Sequence, residues 1–170
     1  VGSPILGVRH KFDGEHCGIS WNCATLFGVD RDHSRSKIRM IADWLHNKAD
    51  YVMIQEAHVN NNRAAFLRSQ LANSDVEIFW TGDKVKPKSA GGVILIVRRS
   101  FLGQFEYQEE LRNVNTKPGF KGGLESAMGH AIGLRLQSKL KSDLDIWAIY
   151  APSDNSQHRR RLWNTIAGHM

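Results

Sequence analysis

The run Tyr51-Val52-Met53-Ile54-Gln55-Glu56 sets the class of this chain. Four apolar residues stand together without polar alternation, and two polar residues end them. A strand patterned this way is buried on both faces, as in the middle of a layered α/β sheet. Toward the N-terminus, Ile38, Ile41 and Leu45, flanked by Met40 and Trp44, follow helical spacing over residues 34–47. Ser34 or Ser36 can cap that helix by accepting from its free backbone N–H groups. Before it, Cys17-Gly18-Ile19-Ser20-Trp21-Asn22 reads as a strand that delivers Asn22 to its C-terminal end. Beyond Glu56, residues 60–73 read as a helix and residues 76–80 as a strand. The order strand, helix, strand, helix, strand predicts α/β layering.

The second half of the chain changes character. Residues 81–90 form a loop with Lys84, Lys86 and Lys88, and Gly91-Gly92 opens the apolar strand 93–97, which Arg98-Arg99 ends. Strands are expected over 104–111, 130–137 and 144–150, the second with one wet face, and residues 112–126 between them are loop. A closing helix over 154–167 carries Leu162, Trp163 and Ile166. Residues 1–14 are expected to be a loose lead-in, and residues 15–170 one domain. There is no internal repeat and no low-complexity tract.

Composition narrows the function classes. The 170 residues are 24% charged and 41% hydrophobic, which excludes a disordered or fibrous chain. No stretch reaches the roughly 20 apolar residues of a membrane-spanning helix. The net charge of +6 favours a polyanionic partner such as nucleic acid. Cys17 and Cys23 make neither a disulfide framework nor a zinc site. Reduced, partly buried cysteines suit an intracellular protein.

Two expected buried strands end in polar side chains, Asn22 and Glu56. In layered α/β folds ligands bind beyond the carboxyl ends of strands, where the turns leave a crevice. A carboxylate there can hold Mg²⁺, which takes one or two protein carboxylates and completes its octahedron with water and substrate phosphate. Gln55 is expected to face away from Glu56, because neighbours on a strand alternate faces. On the closing helix Arg159 borders the packed side, whereas Arg160 and Arg161 are expected to be exposed. Together with the loop lysines they suit phosphate contacts that read no base sequence.

Several pieces occur in a specific order: Ile19-Ser20-Trp21-Asn22, then Met53-Ile54-Gln55-Glu56-Ala57-His58, then Ala90-Gly91-Gly92-Val93-Ile94-Leu95-Ile96, then Ile149-Tyr150-Ala151-Pro152. From Cys17 onward the chain resembles the endonuclease/exonuclease/phosphatase superfamily, the deoxyribonuclease I-like fold. Within it the likeness is strongest to the apurinic-type endonuclease domains of non-LTR retrotransposons. The resemblance implies a four-layer α/β sandwich, truncated before its C-terminal strands. It implies a Mg²⁺-dependent phosphodiesterase, with Mn²⁺ as a substitute, acting on DNA. Asn22 matches the residue that contacts the scissile phosphate or the metal shell, Glu56 the metal-binding glutamate, and Tyr150 the tyrosine whose hydroxyl contacts the phosphate. His58 is a further candidate for the same cleft. The implied location is intracellular, the nucleus included.

The departures from the family pattern matter as much. The family's Gly-Asp-Phe-Asn or Gly-Asp-Leu-Asn motif and its Ser-Asp-His motif normally follow the helix after Tyr-Ala-Pro, and neither occurs in these 170 residues. Asp30-Arg31-Asp32-His33 falls in the first loop and is no substitute. The reading is therefore an N-terminal portion of a nuclease domain, inactive by itself, that requires the C-terminal half. With the second sheet largely missing, the closing helix would lack a cover. The alternatives are a non-catalytic nucleic-acid- or partner-binding remnant, or a phosphoinositide or sphingomyelin phosphodiesterase on the same fold. Whether the chain as given is an enzyme stays open at this level.

Overall fold

The computed structural model describes residues 3–4, 13–28, 30–82, 92–111, 130–138, 143–151 and 156–168. Strand β1 is Ser3–Pro4 and β2 is Gly18–Asn22. Helix α1 (Arg31–Asn47) and strand β3 (Tyr51–Gln55) follow. Next come α2 (Asn61–Gln70), β4 (Val76–Thr81) and β5 (Val93–Arg98). A short helix α3 (Arg99–Leu102) precedes β6 (Tyr107–Leu111). The described chain closes with β7 (Ala131–Gln137), β8 (Leu144–Ile149) and α4 (Ser156–Ala167).

These elements build two four-stranded sheets, one in the order β2-β3-β5-β4 and the other β1-β6-β7-β8. In the first, β2 and β3 are parallel, with Asn22 opposite Gln55, and the remaining pairs are antiparallel. The second is antiparallel throughout. Strand alternation divides the apolar residues into three layers of core. Val52, Ile54, Ile94 and Ile96 face α1 and α2, meeting Ile38, Ile41, Leu45 and Leu67. Val93, Leu95 and Val97 face the other sheet, meeting Ile132, Leu134, Leu136 and Ile146. Leu162 and Ile166 of α4 cover Ala131, Trp147 and Ile149 on the far face of the second sheet. The result is a helix–sheet–sheet–helix sandwich of four layers, the architecture the family resemblance implies.

Several expectations need correction. The second sheet is present with four strands, and α4 is seated on it, so the closing helix has its cover. Only Trp163 of its three large apolar residues is exposed, at 48%. Helix α1 starts three residues earlier than read and is capped by Asp30, whose carboxylate accepts from the Asp32 N–H. Ser34 is buried instead, and its hydroxyl accepts from the Gly28 N–H and donates to the Asp30 carbonyl. A charged sequence at a helix start is as compatible with a cap as with a loop, and the acidic side chain wins here because it reaches the free N–H groups. Ser3–Pro4, inside the segment read as a lead-in, pairs with β6. Helix α3 is too short to show a periodic pattern, and its Phe101 and Leu102 are buried between the sheets. Cys17 is exposed, and only Cys23 is buried. No helix among the described residues is long and apolar enough to cross a membrane.

Candidate functional site

The parallel pair β2 and β3 brings Asn22 and Gln55 side by side at the carboxyl end of the sheet. One residue later the chain leaves regular strand geometry. Glu56 adopts φ 52° and His58 φ 50°, while Ala24 and Thr25, just beyond Asn22, adopt φ 42° and 79°. Left-handed backbone at non-glycine residues costs on the order of 1–3 kcal/mol each, and it persists only where surrounding contacts over-determine it. Four such residues at two adjacent strand ends mark a segment shaped for placement.

The contacts that hold this geometry are specific. The Asn22 Nδ2 amide donates to Glu56 Oε1 at 2.8 Å, across 34 positions of sequence. The Ala24 N–H donates to Asn22 Oδ1 at 3.1 Å. Both ends of the asparagine amide are thereby committed, and the flipped amide would set N–H against N–H and oxygen against carboxylate. The Cys23 and Thr25 N–H groups donate to the Gln55 and Glu56 carbonyls at 3.2 and 2.9 Å. Thr25 Oγ1 and His58 Nδ1 lie 2.9 Å apart. Glu56 does not face away from Gln55 as alternation predicts. Its left-handed turn sends the carboxylate back to Asn22, while Gln55 Nε2 donates to Ser20 Oγ at 3.0 Å, on the same face of β2.

The segment carrying Glu56 and His58 rests on two glycines. A Cβ on Gly92, itself at φ 81°, would stand 3.1 Å from the Val59 nitrogen and 3.2 Å from the His58 nitrogen. A Cβ on Gly82 would stand 2.2 Å from the Val59 carbonyl oxygen. The Ala57 N–H donates to the Gly92 carbonyl at 2.9 Å, so the close approach is also a bonded one. This gives Gly92 a role that the sequence pattern left open. Gly91, Ala90, Pro152 and the loop lysines 84, 86 and 88 lie outside the described residues.

Cys23 sits beneath the site without chemistry of its own. Burial pushes its thiol up from 9.0 to about 11, against the opposing pull of the Lys37 charge. A neutral buried thiol is a packing group and not a nucleophile.

Tyr150 is placed from the other sheet. It follows β8, is half-buried, and packs against the core between the sheets together with Met53. The Tyr150 N–H donates to the His130 carbonyl at 2.7 Å, and His130 Nδ1 lies 2.9 Å from the Tyr150 carbonyl. The two rings stack with centroids 6.0 Å apart and planes at 6°. Arg160 and Arg161 are exposed on α4, on the far side of the second sheet, and Arg159 is half-buried, as the helical spacing predicts. The geometry thus unites Asn22, Glu56 and His58 in one bonded cluster, holds Tyr150 by separate contacts, and leaves Arg160 and Arg161 exposed on another element.

The sequence did not single out Thr25, Lys37, Arg63 or His130. Lys37 had the most legible signal. It lies three residues after buried Ser34 and four before buried Ile41, which puts a cation at the edge of a buried stripe.

A carboxylate placed like that of Glu56 can serve as one protein ligand to a hard divalent cation. Among the described residues no group of three or more His, Cys, Asp or Glu side chains converges on one point. Glu56 Oε1 receives the Asn22 amide, and its carboxylate keeps further lone pairs for a hard cation that takes its remaining ligands from water and phosphate.

The architecture is that of the endonuclease/exonuclease/phosphatase proteins, the deoxyribonuclease I-like fold. An apurinic/apyrimidinic endonuclease from Leishmania major superposes with a TM-score of 0.58 at 17% identity, over 94% of this chain and 48% of that one. An endonuclease/exonuclease/phosphatase family protein from Leptotrichia buccalis gives 0.57 at 13% identity, over 92% of this chain and 63% of the other. A third, from Beutenbergia cavernae, gives 0.52 at 15% identity, over 91% and 44%. The chain therefore spans about half the length of these structural relatives. No protein-family model matches the sequence, and no curated protein matches it.

Proposed function

We propose that this chain forms the first half of a divalent-metal-dependent phosphodiesterase that nicks DNA, of the kind retrotransposon proteins carry. The observation that supports it is the Asn22–Glu56 pair, locked at 2.8 Å at the carboxyl end of two parallel strands. In this reading Glu56 holds Mg²⁺ or Mn²⁺, which would polarise the phosphate and stabilise charge on the leaving oxygen. Asn22 keeps a second amide hydrogen for a phosphate oxygen, Tyr150 offers its hydroxyl, and His58 borders the cleft. Arg160 and Arg161 add sequence-independent affinity for the DNA backbone. The protein acts inside the cell, where such an element meets chromosomal DNA. Because the chain spans about half of its structural relatives, the groups that activate water belong to the remaining half, and the 170 residues alone do not turn over.

The test is Mg²⁺-dependent nicking of supercoiled plasmid by a protein that contains this chain together with its downstream sequence. Glu56→Gln is expected to abolish nicking and Asn22→Ala to reduce it by about 10²-fold or more, the scale of losing one transition-state donor. Nicking that survives Glu56→Gln would overturn the assignment. The second reading is a non-catalytic nucleic-acid-binding remnant, which the net charge of +6 supports equally. Gel shifts without nicking in the longer protein would establish that reading instead. Hydrolysis of phosphoinositide or sphingomyelin in place of DNA would establish the lipid phosphodiesterase.

A further inference from the structure

We infer that Lys37 is a positioning residue for the Asn22–Glu56 pair, acting through the backbone of the loop that follows β2. The inference rests on the metal-site reading above. Lys37 Nζ donates to the Cys23 carbonyl at 2.7 Å and to the Thr25 carbonyl at 2.8 Å. These two carbonyls flank Ala24, the residue whose N–H fixes the oxygen end of the Asn22 amide. The chain of contacts therefore runs from the ammonium to two carbonyls, to the Ala24 N–H, to Asn22 Oδ1, and from Asn22 Nδ2 to Glu56. The ammonium also lies 5.9 Å from the centroid of the Trp21 ring, which stands edge-on to Trp44 at 5.3 Å. An aromatic face under a cation adds attraction and restricts where the ammonium can go.

The same device is repeated on the second loop. Arg63, on α2, donates to the His58 carbonyl at 2.6 Å and lies 5.8 Å from the Phe27 ring. Each left-handed loop is thus tied by its carbonyls to a cation from the helix that follows it. Charge-assisted bonds of this type are about twice as strong as neutral ones. They suit loops that each carry two left-handed residues. An uncommitted lysine would sample solvent, whereas this one is half-buried and has both carbonyls within bonding distance.

Two readouts on the 170-residue chain test the inference. The first is the Asn22 side-chain amide in ¹⁵N NMR. In the wild type its two Nδ2 protons should be widely split, one bonded to Glu56. Lys37→Met should collapse the splitting, and Lys37→Arg should restore it. The second is Mn²⁺ affinity by electron paramagnetic resonance. Lys37→Met should weaken it about 10-fold, the scale of losing an outer-shell contact. Ile41→Val, which lowers stability without touching the loop, should leave both readouts unchanged. If Lys37→Met fails to fold, Lys37→Gln, whose amide donors are neutral and on a shorter stem, should give an intermediate splitting. A wild-type Asn22 splitting in Lys37→Met or Lys37→Gln would overturn the inference. If the wild type binds no Mn²⁺, the metal reading fails, and the NMR readout still determines whether Lys37 positions Asn22.

Discussion

Two carboxylates bracket β3. Asp50 precedes the strand and Glu56 follows it, and their surroundings differ in kind. Asp50 is bonded to the Arg98 guanidinium through Oδ1 and accepts the Cys17 N–H through Oδ2 at 2.8 Å. Its own backbone joins the ladder on both sides, through the Cys17 carbonyl and the Arg98 N–H. Glu56 has the Asn22 amide, a left-handed backbone and a half-buried side chain with one bonded oxygen. A carboxylate with both oxygens bonded to the protein holds strands together. A carboxylate held in place by one amide, with lone pairs to spare, is available to a cation. The two ends of a single strand thus separate a structural acid from a candidate functional one, although sequence offers the same residue chemistry at both.

The largest effect that tests this contrast is Asp50→Ala. It leaves the Arg98 guanidinium, 37% exposed, without its carboxylate and strips the Cys17 N–H of its acceptor. Breaking a fully buried pair costs roughly 3–5 kcal/mol. Partial exposure reduces that here to about 2 kcal/mol, readable in urea denaturation. Glu56→Gln should change stability by about 0.5 kcal/mol or less, because no buried partner is orphaned. Equal losses from the two substitutions would erase the distinction. Next in size is Gly92→Ala. The added methyl meets the His58 and Val59 nitrogens in a conformation that L-residues resist, at a cost of about 1–3 kcal/mol. Hydrogen exchange at the Ala57 N–H should accelerate together with it, since that group donates to the Gly92 carbonyl. Unchanged exchange would mean the Glu56 loop does not depend on its glycine seat.

The fold was legible because its signals are short-range. Tyr51–Ile54 lacks alternation since both faces are covered, by helices on one side and by the second sheet on the other. The spacing of Ile38, Ile41 and Leu45 shows which side of α1 is buried. Strand ends carrying Asn22 and Glu56 could be found by the same reasoning. Their mutual orientation could not. No Gly or Asn in Ala24-Thr25 or Glu56-Ala57-His58 announces a left-handed turn, and the turns exist because bonds between residues 32–34 positions apart impose them. The cation clamps were hidden for a related reason. Lys37 and Arg63 look like ordinary helix-surface charges until the loops they hold are placed in space. The Asp30 cap is the opposite case: its signal is local, but Ser34 and Ser36 carry the same capping chemistry within six residues.

A smaller effect comes from Cys23, which sits under the Asn22–Glu56 pair. Its folded thiol titrates near 11, raised by burial from 9.0. The folded state therefore favours the protonated thiol more than the unfolded chain does. That stability is fully present below pH 9 and is lost as pH rises through 11, by at most about 3 kcal/mol. Cys23→Ala should flatten stability over that window, and the exposed Cys17 should react with a thiol reagent at pH 8 while Cys23 does not. A steep alkaline loss that persists in Cys23→Ala would assign it to another group.

The smallest effect concerns the contrast between a bonded site and a solvated surface. Arg160 and Arg161 are exposed on α4, so their replacement should leave stability within about 0.5 kcal/mol. If they meet phosphates, they should still matter to binding. Each phosphate neutralised by the protein releases condensed counterions, and the log–log dependence of affinity on salt steepens by about 0.9 per contact on duplex DNA. The double change to Ala should therefore flatten the slope by roughly one to two, with affinity reduced alike for unrelated sequences. Binding titrations on two duplexes of different sequence across 50–200 mM salt give that slope. A slope unchanged by the double substitution would leave the arginines as solubilising charge and confine the DNA contacts to the face that carries Asn22 and Glu56.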